Sequence, residues 1–288
     1  DFVIATTATA ALAGCATGPS MEDKPPIVFV HGNGDSAALW VPTIWRFESN
    51  GWPRERLHAI HMPLPAARDD DTVPQPGRSS TEEHARFLAA EVDRVVARTG
   101  ATQVVLVGNS RGGNAIRNYV QNFGGAAKVS HAVLGGTPNH GVYADAGKRP
   151  GSEFNGAGPF LTGLNAPKGP NGDEVTPGVR WMTLRSDNYD KFAQPEGTWI
   201  GQRGSATNVT FEGPALKGAL NVVLPGRDHR EVSYHPQAFA KTFEFIAGRA
   251  PARTTIEAES RPVLDGVVSG IGAAGPNNLP LVGATVHV

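Results

Sequence analysis

One cysteine in 288 residues leaves this chain without an internal disulfide framework or a cysteine-based zinc site. Net charge is nearly absent as well: 26 Lys and Arg stand against 27 Asp and Glu, a formal −1 spread evenly along the chain. That balance gives no electrostatic case for nucleic acid or for an anionic membrane surface. Long apolar runs are missing too, and no stretch approaches the roughly twenty residues that a bilayer-spanning helix requires. What is present is an ordinary apolar fraction of 40 % on a chain long enough for one large α/β domain and a small appendage.

The most informative stretch runs from Val104 to Gly113, VVLVGNSRGG. Four apolar residues, three of them β-branched, suit one fully buried strand. G-x-S-x-G follows, and then Ile116, Tyr119, Val120 and Phe123 recur at helical spacing. Strand, sharp turn and helix in that order are the context of a nucleophile elbow, with Ser110 at its tip. Glycines two before and two after the serine keep side chains off the crowded backbone, and the helix aims its amide dipoles at the hydroxyl. Upstream, Ile27 to Val30 is a second buried strand running into His31-Gly32-Asn33-Gly34. A strand leading to H-G-x-G supplies half of an oxyanion hole in hydrolases of this kind. The backbone N–H groups of Asn33 and Arg111 are the expected donors, fixed before charge develops. His31, preceding the turn, reads as a structural hydrogen-bonder.

Phe2 to Gly14 is an apolar, small-residue stretch ending at Cys15. It has the length of a signal-peptide core and is too short to span a membrane. Leu12-Ala13-Gly14-Cys15 resembles the bacterial lipobox, which implies lipidation of Cys15. Neither an initiator methionine nor a basic region precedes it, so the sequence reads as starting partway through an export signal. Residues 1–15 are therefore assigned to that signal and 16–24 to a flexible tether. The expected location is outside the cytoplasm of a bacterium, as a secreted, periplasmic or outer-membrane-anchored protein.

Residues 25–249 read as the catalytic domain. Leu57–His61 is a short strand, and a Pro-rich loop from Met62 to Arg78 carries Asp69-Asp70-Asp71. Adjacent carboxylates do not easily converge on one cation, so a solvated loop is expected and no metal site. Ser80 with Glu83 forms a capping box. It opens a helix whose Leu88, Val92 and Val95 share a face, and which stops before Gly100. This helix is expected to pack against the elbow strand. Val129–Leu134 is the next strand. Residues 139–178, rich in Gly, Pro and Asn, have no sustained period and should be loop. Placed after a strand at the catalytic edge, they suggest a binding wall or lid, with Phe154, Phe160 and Leu161 either covering substrate or anchoring the loop. Strands are expected over Val179–Leu184, Asn208–Phe211 and Leu220–Leu224. Pro236 then opens a helix with Phe239, Phe243 and Ile246 inward.

Alternating strands and helices argue for a mostly parallel sheet flanked by helices, with chemistry at the carboxyl ends of the strands. A serine hydroxyl needs an imidazole to take its proton and a carboxylate to orient that imidazole. In this fold the order along the chain is serine, acid, histidine. His229 follows the last strand and is the expected base, while His235 at the helix entrance reads as a cap. His131 and His140 are out of order. The acid is Asp190, in D-x-F-A-Q-P, or Asp187, nearer the strand end; Asp190 is favoured. Asp228 would point away from its neighbour His229.

Taken together, the H-G-N-G, G-N-S-R-G-G, D-K-F-A-Q-P and G-R-D-H segments resemble the α/β-hydrolase lipases and esterases of bacteria. They are most similar to small secreted triacylglycerol lipases with little or no helical lid. D-x-x-x-Q-P also resembles the acid loop of fungal lipase B enzymes. The resemblance spans about Pro25 to Gly248. It implies a Ser110–Asp190–His229 triad, ester or lipid substrates and no cofactor. Arg111 departs from the more frequent methionine or glutamine, and its side chain is expected to polarise the pocket. A depolymerase of an aliphatic polyester such as a polyhydroxyalkanoate, an amidase and a non-catalytic binding module on this scaffold are the alternatives.

Residues 250–259 read as a linker. Val263–Val268 and Leu281–Val286 are expected strands around a Gly/Pro/Asn loop. They resemble the start of a small β-sandwich of the carboxypeptidase-regulatory type, so 260–288 reads as an incomplete β-rich domain.

Overall fold

The computed structural model describes residues 24–198, 202–260 and 266–287. The export-signal assignment, Cys15 and nearly all of the tether lie outside the described residues.

The sheet grows from short, buried strands. β1 (Ile27–Val30) is buried at every position, and so is β3 (Val104–Asn109). Between them come helix α1 (Val41–Glu48), strand β2 (Leu57–Ile60) and helix α2 (Thr81–Thr99). Beyond β3 follow helix α3 (Arg111–Asn122), strand β4 (Val129–Gly135), the six-residue helix α4 (Pro159–Leu164) and strand β5 (Arg180–Arg185). Strand β6 (Leu220–Val223) and helix α5 (Pro236–Ala247) complete the unit. The six strands pair in parallel in the order β6-β5-β4-β3-β1-β2.

Alternation along each strand sends successive side chains to opposite faces. Phe29, Val105 and Val107 join Phe47 of α1 and Phe239, Phe243 and Ile246 of α5 in one cluster. Val28, Val30, Val104 and Leu106 join Leu88, Val92 and Val95 of α2 and Ile116, Tyr119 and Val120 of α3 in the other. Helices thus cover both faces, and α2 packs against the elbow strand β3, as expected. Local chemistry fixes the ends of α2. Ser80 and Glu83 make the reciprocal capping box, and Gly100 closes the helix in the left-handed region at φ 66°.

Strand order reverses between β1 and β3, and the loops leaving their carboxyl ends diverge there. A crevice at such a switch point is where open α/β sheets place their chemistry.

Three expectations need correction. Asn208–Phe211 is not a strand: Asn208 sits at φ 58°, which breaks an extended run, and pairing occurs earlier, between Glu196–Gly197 and Gln202–Ala206. Residues 139–178 are not wholly irregular, because Pro159 starts α4 and buries Leu161 and Leu164. In the tail, the antiparallel strands are β7 (Ser269–Gly272) and β8 (Gly275–Pro280), whereas 281–287 is irregular and 263–265 lies outside the described residues. Gly275, at φ 113°, lets the chain reverse there. The apolar residues of 281–287 find no partner strand among the described residues, and Val282 remains 96 % exposed.

The stretch 250–259 is strapped to α1. Arg46 Nε donates to the Thr254 carbonyl at 2.8 Å, and Asn50 Nδ2 donates to that of Arg253 at 2.9 Å.

Candidate active site

Ser110 joins β3 to α3 with φ 53° and ψ −123°. For a residue other than glycine this conformation costs on the order of 1–3 kcal/mol and persists only when its surroundings enforce it. The flanking glycines show what does so. A Cβ at Gly108 would lie 2.8 Å from the Gly113 nitrogen, and one at Gly112 would lie 2.5 Å from the Val30 carbonyl oxygen. Only bare backbone lets α3 start this close to β1 and β3. The same crowding places the Gly32–Asp35 loop against the elbow serine, since a Cβ at Gly32 would lie 3.0 Å from Ser110 Cβ.

His229 arrives from the loop after β6. Asn109, the residue before the serine, holds that loop in place. Its Nδ2 donates to the His229 carbonyl at 3.1 Å and to Ser233 Oγ at 2.8 Å. Asp190 comes from the loop after β5 and faces His229 Nδ1 with both carboxylate oxygens, at 3.0 and 2.9 Å. The Phe192 amide donates back to Asp190 Oδ1 at 2.9 Å, and the Phe192 ring lies edge-on to the imidazole at 4.6 Å between centroids. Asp187 is engaged elsewhere, accepting from the Gly226 amide at 3.1 and 3.2 Å. His235 caps α5, its Nδ1 accepting from the Gln237 amide at 3.2 Å. Both of these residues are therefore turned away from His229.

Ser110, His229, Gly32 and Asn33 line one cavity of about 460 Å³, together with Val142, Tyr143, Phe154 and Phe192. The Ser110 hydroxyl makes no hydrogen bond to His229 in this conformation. Catalytic hydrogen bonds in enzymes without substrate are commonly long and tighten on binding. Phe154 belongs to the 139–178 segment and faces the cavity, whereas Leu161 of the same segment is fully buried. The segment is a wall with a separate anchor.

Residues 25–151 match the family described as alpha/beta hydrolase fold. The chain has the α/β-hydrolase fold. Among solved structures, lipase BlEst2 of Bacillus licheniformis in its propeptide form aligns with a TM-score of 0.56 at 21 % identity, covering 83 % of this chain and 53 % of that one. The mature form of that lipase gives 0.53 at 19 %, covering 77 % and 92 %. The lin2722 gene product of Listeria innocua gives 0.51 at 16 %, covering 81 % and 97 %. At these identities the likeness is one of fold.

Within this α/β-hydrolase fold, Arg111 does not do what its sequence position suggested. Its side chain is fully buried and absent from the cavity lining. Nε donates to Glu153 Oε1 at 2.8 Å, Nη1 to the Pro65 carbonyl at 3.0 Å, and Nη2 to the Ser79 carbonyl at 2.8 Å. Burial pushes the Glu153 carboxyl up while the guanidinium pulls it down. The charge ties the start of α3 to the cavity wall through Glu153 and leaves nothing to polarise a substrate. Asn109, Phe192 and Glu153 escaped sequence reading because their roles lie in contacts across the chain. Asn109 alone carried a local signal, its place inside the elbow.

The three adjacent carboxylates serve different partners. Asp71 accepts from the Thr81 amide at 2.7 Å, Asp70 accepts from the Thr72 amide at 2.9 Å, and Asp69 accepts from Gln75 Nε2 at 2.9 Å.

Behind the Gly32–Asp35 loop, His31 accepts from the Met62 amide at Nε2, 3.0 Å, which leaves Nδ1–H to donate to the Gly32 carbonyl at 2.9 Å. Burial pushes this imidazole down to about 4, and burial also holds His84 well below its ordinary range. Between pH 6.5 and 4 the unfolded chain therefore takes up protons that the native chain refuses, so stability is greatest above about 6.5 and declines as pH falls through that window. Melting temperature should drop progressively from pH 6.5 to 4.5. An unchanged melting temperature across that interval would contradict the neutral, buried assignment.

Proposed function

We propose that this protein is a serine carboxylic-ester hydrolase using Ser110, His229 and Asp190. The observation that carries the reading is the two-oxygen grip of Asp190 on His229 Nδ1, on loops that converge over the strained Ser110 elbow. With Nδ1–H held by the carboxylate, Nε2 is left unprotonated as the proton acceptor. Ser110 Oγ attacks the ester carbonyl carbon as Nε2 takes its proton, and the carbonyl π electrons move onto oxygen. The Asn33 and Arg111 amides stabilise that oxyanion. Collapse expels the alcohol, protonated by His229, and leaves an acyl-enzyme. Water, deprotonated by the same imidazole, then releases the acid and restores Ser110.

The choice of ester over amide rests on the H-G-N-G, G-N-S-R-G-G, D-K-F-A-Q-P and G-R-D-H segments, which resemble bacterial lipases and esterases. Val142, Tyr143, Phe154 and Phe192 give the cavity an apolar patch suited to the acyl part of an ester, beside charged lining residues that include Arg68, Arg149 and Asp228. A fluorophosphonate probe followed by peptide mass analysis tests the reading. Modification at Ser110 is expected, and an unreactive Ser110 would reduce the chain to a binding module on a hydrolase scaffold. Residues 1–15 support export and lipidation at Cys15 as a further part of this reading, testable by expressing the protein in a bacterial host with a radiolabelled fatty acid.

A further inference from the structure

Strands β7 and β8 are largely exposed, with one exception. Asn278 is 8 % exposed, although Leu279 and Pro280 after it face solvent. Its amide donates to the Pro63 carbonyl at 2.9 Å. Its Nδ2 donates to the Asp35 carbonyl at 2.8 Å and to the Met62 carbonyl at 3.0 Å, and lies 3.4 Å from His31 Nε2. The side-chain amide has two N–H groups, and each finds a carbonyl. Those carbonyls belong to two different loops. Asp35 ends the H-G-N-G loop after β1, while Met62 and Pro63 begin the loop after β2.

The hairpin is seated at a second point. A Cβ at Gly77 would lie 2.7 Å from the Ala274 carbonyl oxygen, so the β7–β8 turn rests directly on the far end of the loop after β2. Asp35 also reaches the base side of the site, because its carboxylate pairs with Arg230 at 2.9 Å, next to His229. The other ties on the loop after β1 come from residues 65–67: the Gly34 amide donates to the Pro65 carbonyl at 3.1 Å, and Asn33 Oδ1 accepts from the Ala67 amide at 2.7 Å. Asn278 thus closes the side of the loop that residues 65–67 leave open.

We propose that Asn278 is a positioning residue for the oxyanion hole, locking the Gly32–Asp35 loop to the end of β2 so that the Asn33 amide stays aimed at the developing charge. The assignment rests on the serine-hydrolase reading above. Donors of this kind act only within a few tenths of an ångström of their target, so a loosened loop weakens transition-state binding more than substrate binding. His31 stays neutral above about pH 4, so the lone pair of its Nε2 keeps accepting from the Met62 amide and holds the end of β2 in place throughout the neutral range.

The test is a graded series in the full chain. Asn278→Ser keeps one donor, Asn278→Ala keeps none, and Asn278→Asp sets a carboxylate against two carbonyls. Each is assayed with a short neutral p-nitrophenyl ester, with rates expressed per Ser110 titrated by fluorophosphonate, so a partly folded variant still gives a valid number. Affinity for a trifluoromethyl ketone is measured alongside. Ser110 Oγ adds to its carbonyl carbon, the π pair becomes an oxyanion, and the serine proton passes to His229. The expected result is a fall in kcat of about tenfold for Asn278→Ala, less for Asn278→Ser and more for Asn278→Asp, with KM within about twofold. Ketone affinity should fall in step with kcat/KM, while the shape of the pH profile stays the same. Unchanged kcat per titrated site in all three variants would overturn the proposal, as would a rise confined to KM or losses that ignore the donor count. A wild-type Ser110 that does not react with the fluorophosphonate would instead overturn the hydrolase reading, and this proposal with it.

Discussion

Ser110→Ala is expected to lower kcat by several orders of magnitude while leaving the melting curve where it was. The two halves of that expectation have separate causes. On the proposed serine-hydrolase reading, turnover needs the oxygen that becomes bonded to the acyl group, and no nearby side chain replaces it. What survives is the contribution of the oxyanion donors and of binding, roughly 10³–10⁴ over the uncatalysed rate. Stability should not move, because the hydroxyl makes no hydrogen bond among the described residues and alanine retains the β-carbon. The unfavourable φ of 53° is the same for both residues, so strain neither appears nor disappears. A change within about 0.5 kcal/mol is expected. Steady-state kinetics and thermal unfolding on the same preparation check both halves. Retention of more than about a tenth of wild-type kcat would remove Ser110 from its role.

Asparagine in place of Asp190 should cost nearly as much. In the proposed triad the carboxylate accepts from Nδ1–H with both oxygens, which fixes the tautomer whose Nε2 is bare and able to take the serine proton. An amide at the same place can donate to Nδ1 and so stabilise the opposite tautomer, whose Nε2 already carries a proton. The loss expected is on the order of 10⁴ in kcat, with KM changing far less because the carboxylate does not line the cavity. Asp187→Asn is the matched control. That carboxylate accepts from the Gly226 amide, and losing part of this turn should cost little stability, with near-normal turnover in the cold. Interchanged behaviour of the two variants would move the acid to Asp187. Equal, modest losses would mean that neither carboxylate alone orients His229.

These two aspartates mark where sequence reading reaches its limit. They stand three residues apart in one loop, and only the D-x-F-A-Q-P context of Asp190 separates them locally, without showing which one meets His229. By itself the sequence determined what is encoded within a few residues. The apolar runs gave β1 and β3, Ser80 and Glu83 gave the start of α2, Gly100 gave its end, and strand–turn–helix spacing gave the elbow. Each rests on backbone geometry repeating every two to four residues, so a short window contains its whole cause. The strand expected at Asn208–Phe211 failed for the same reason in reverse, because one left-handed residue cancels an apolar pattern. Tertiary structure alone decided the contacts between distant segments. Asp190 meets His229 across 39 residues, Arg111 turns inward to Glu153 across 42, and Asn278 reaches His31 across 247. Such pairings depend on which loop ends the parallel sheet brings together, and on which buried polar atoms then need partners.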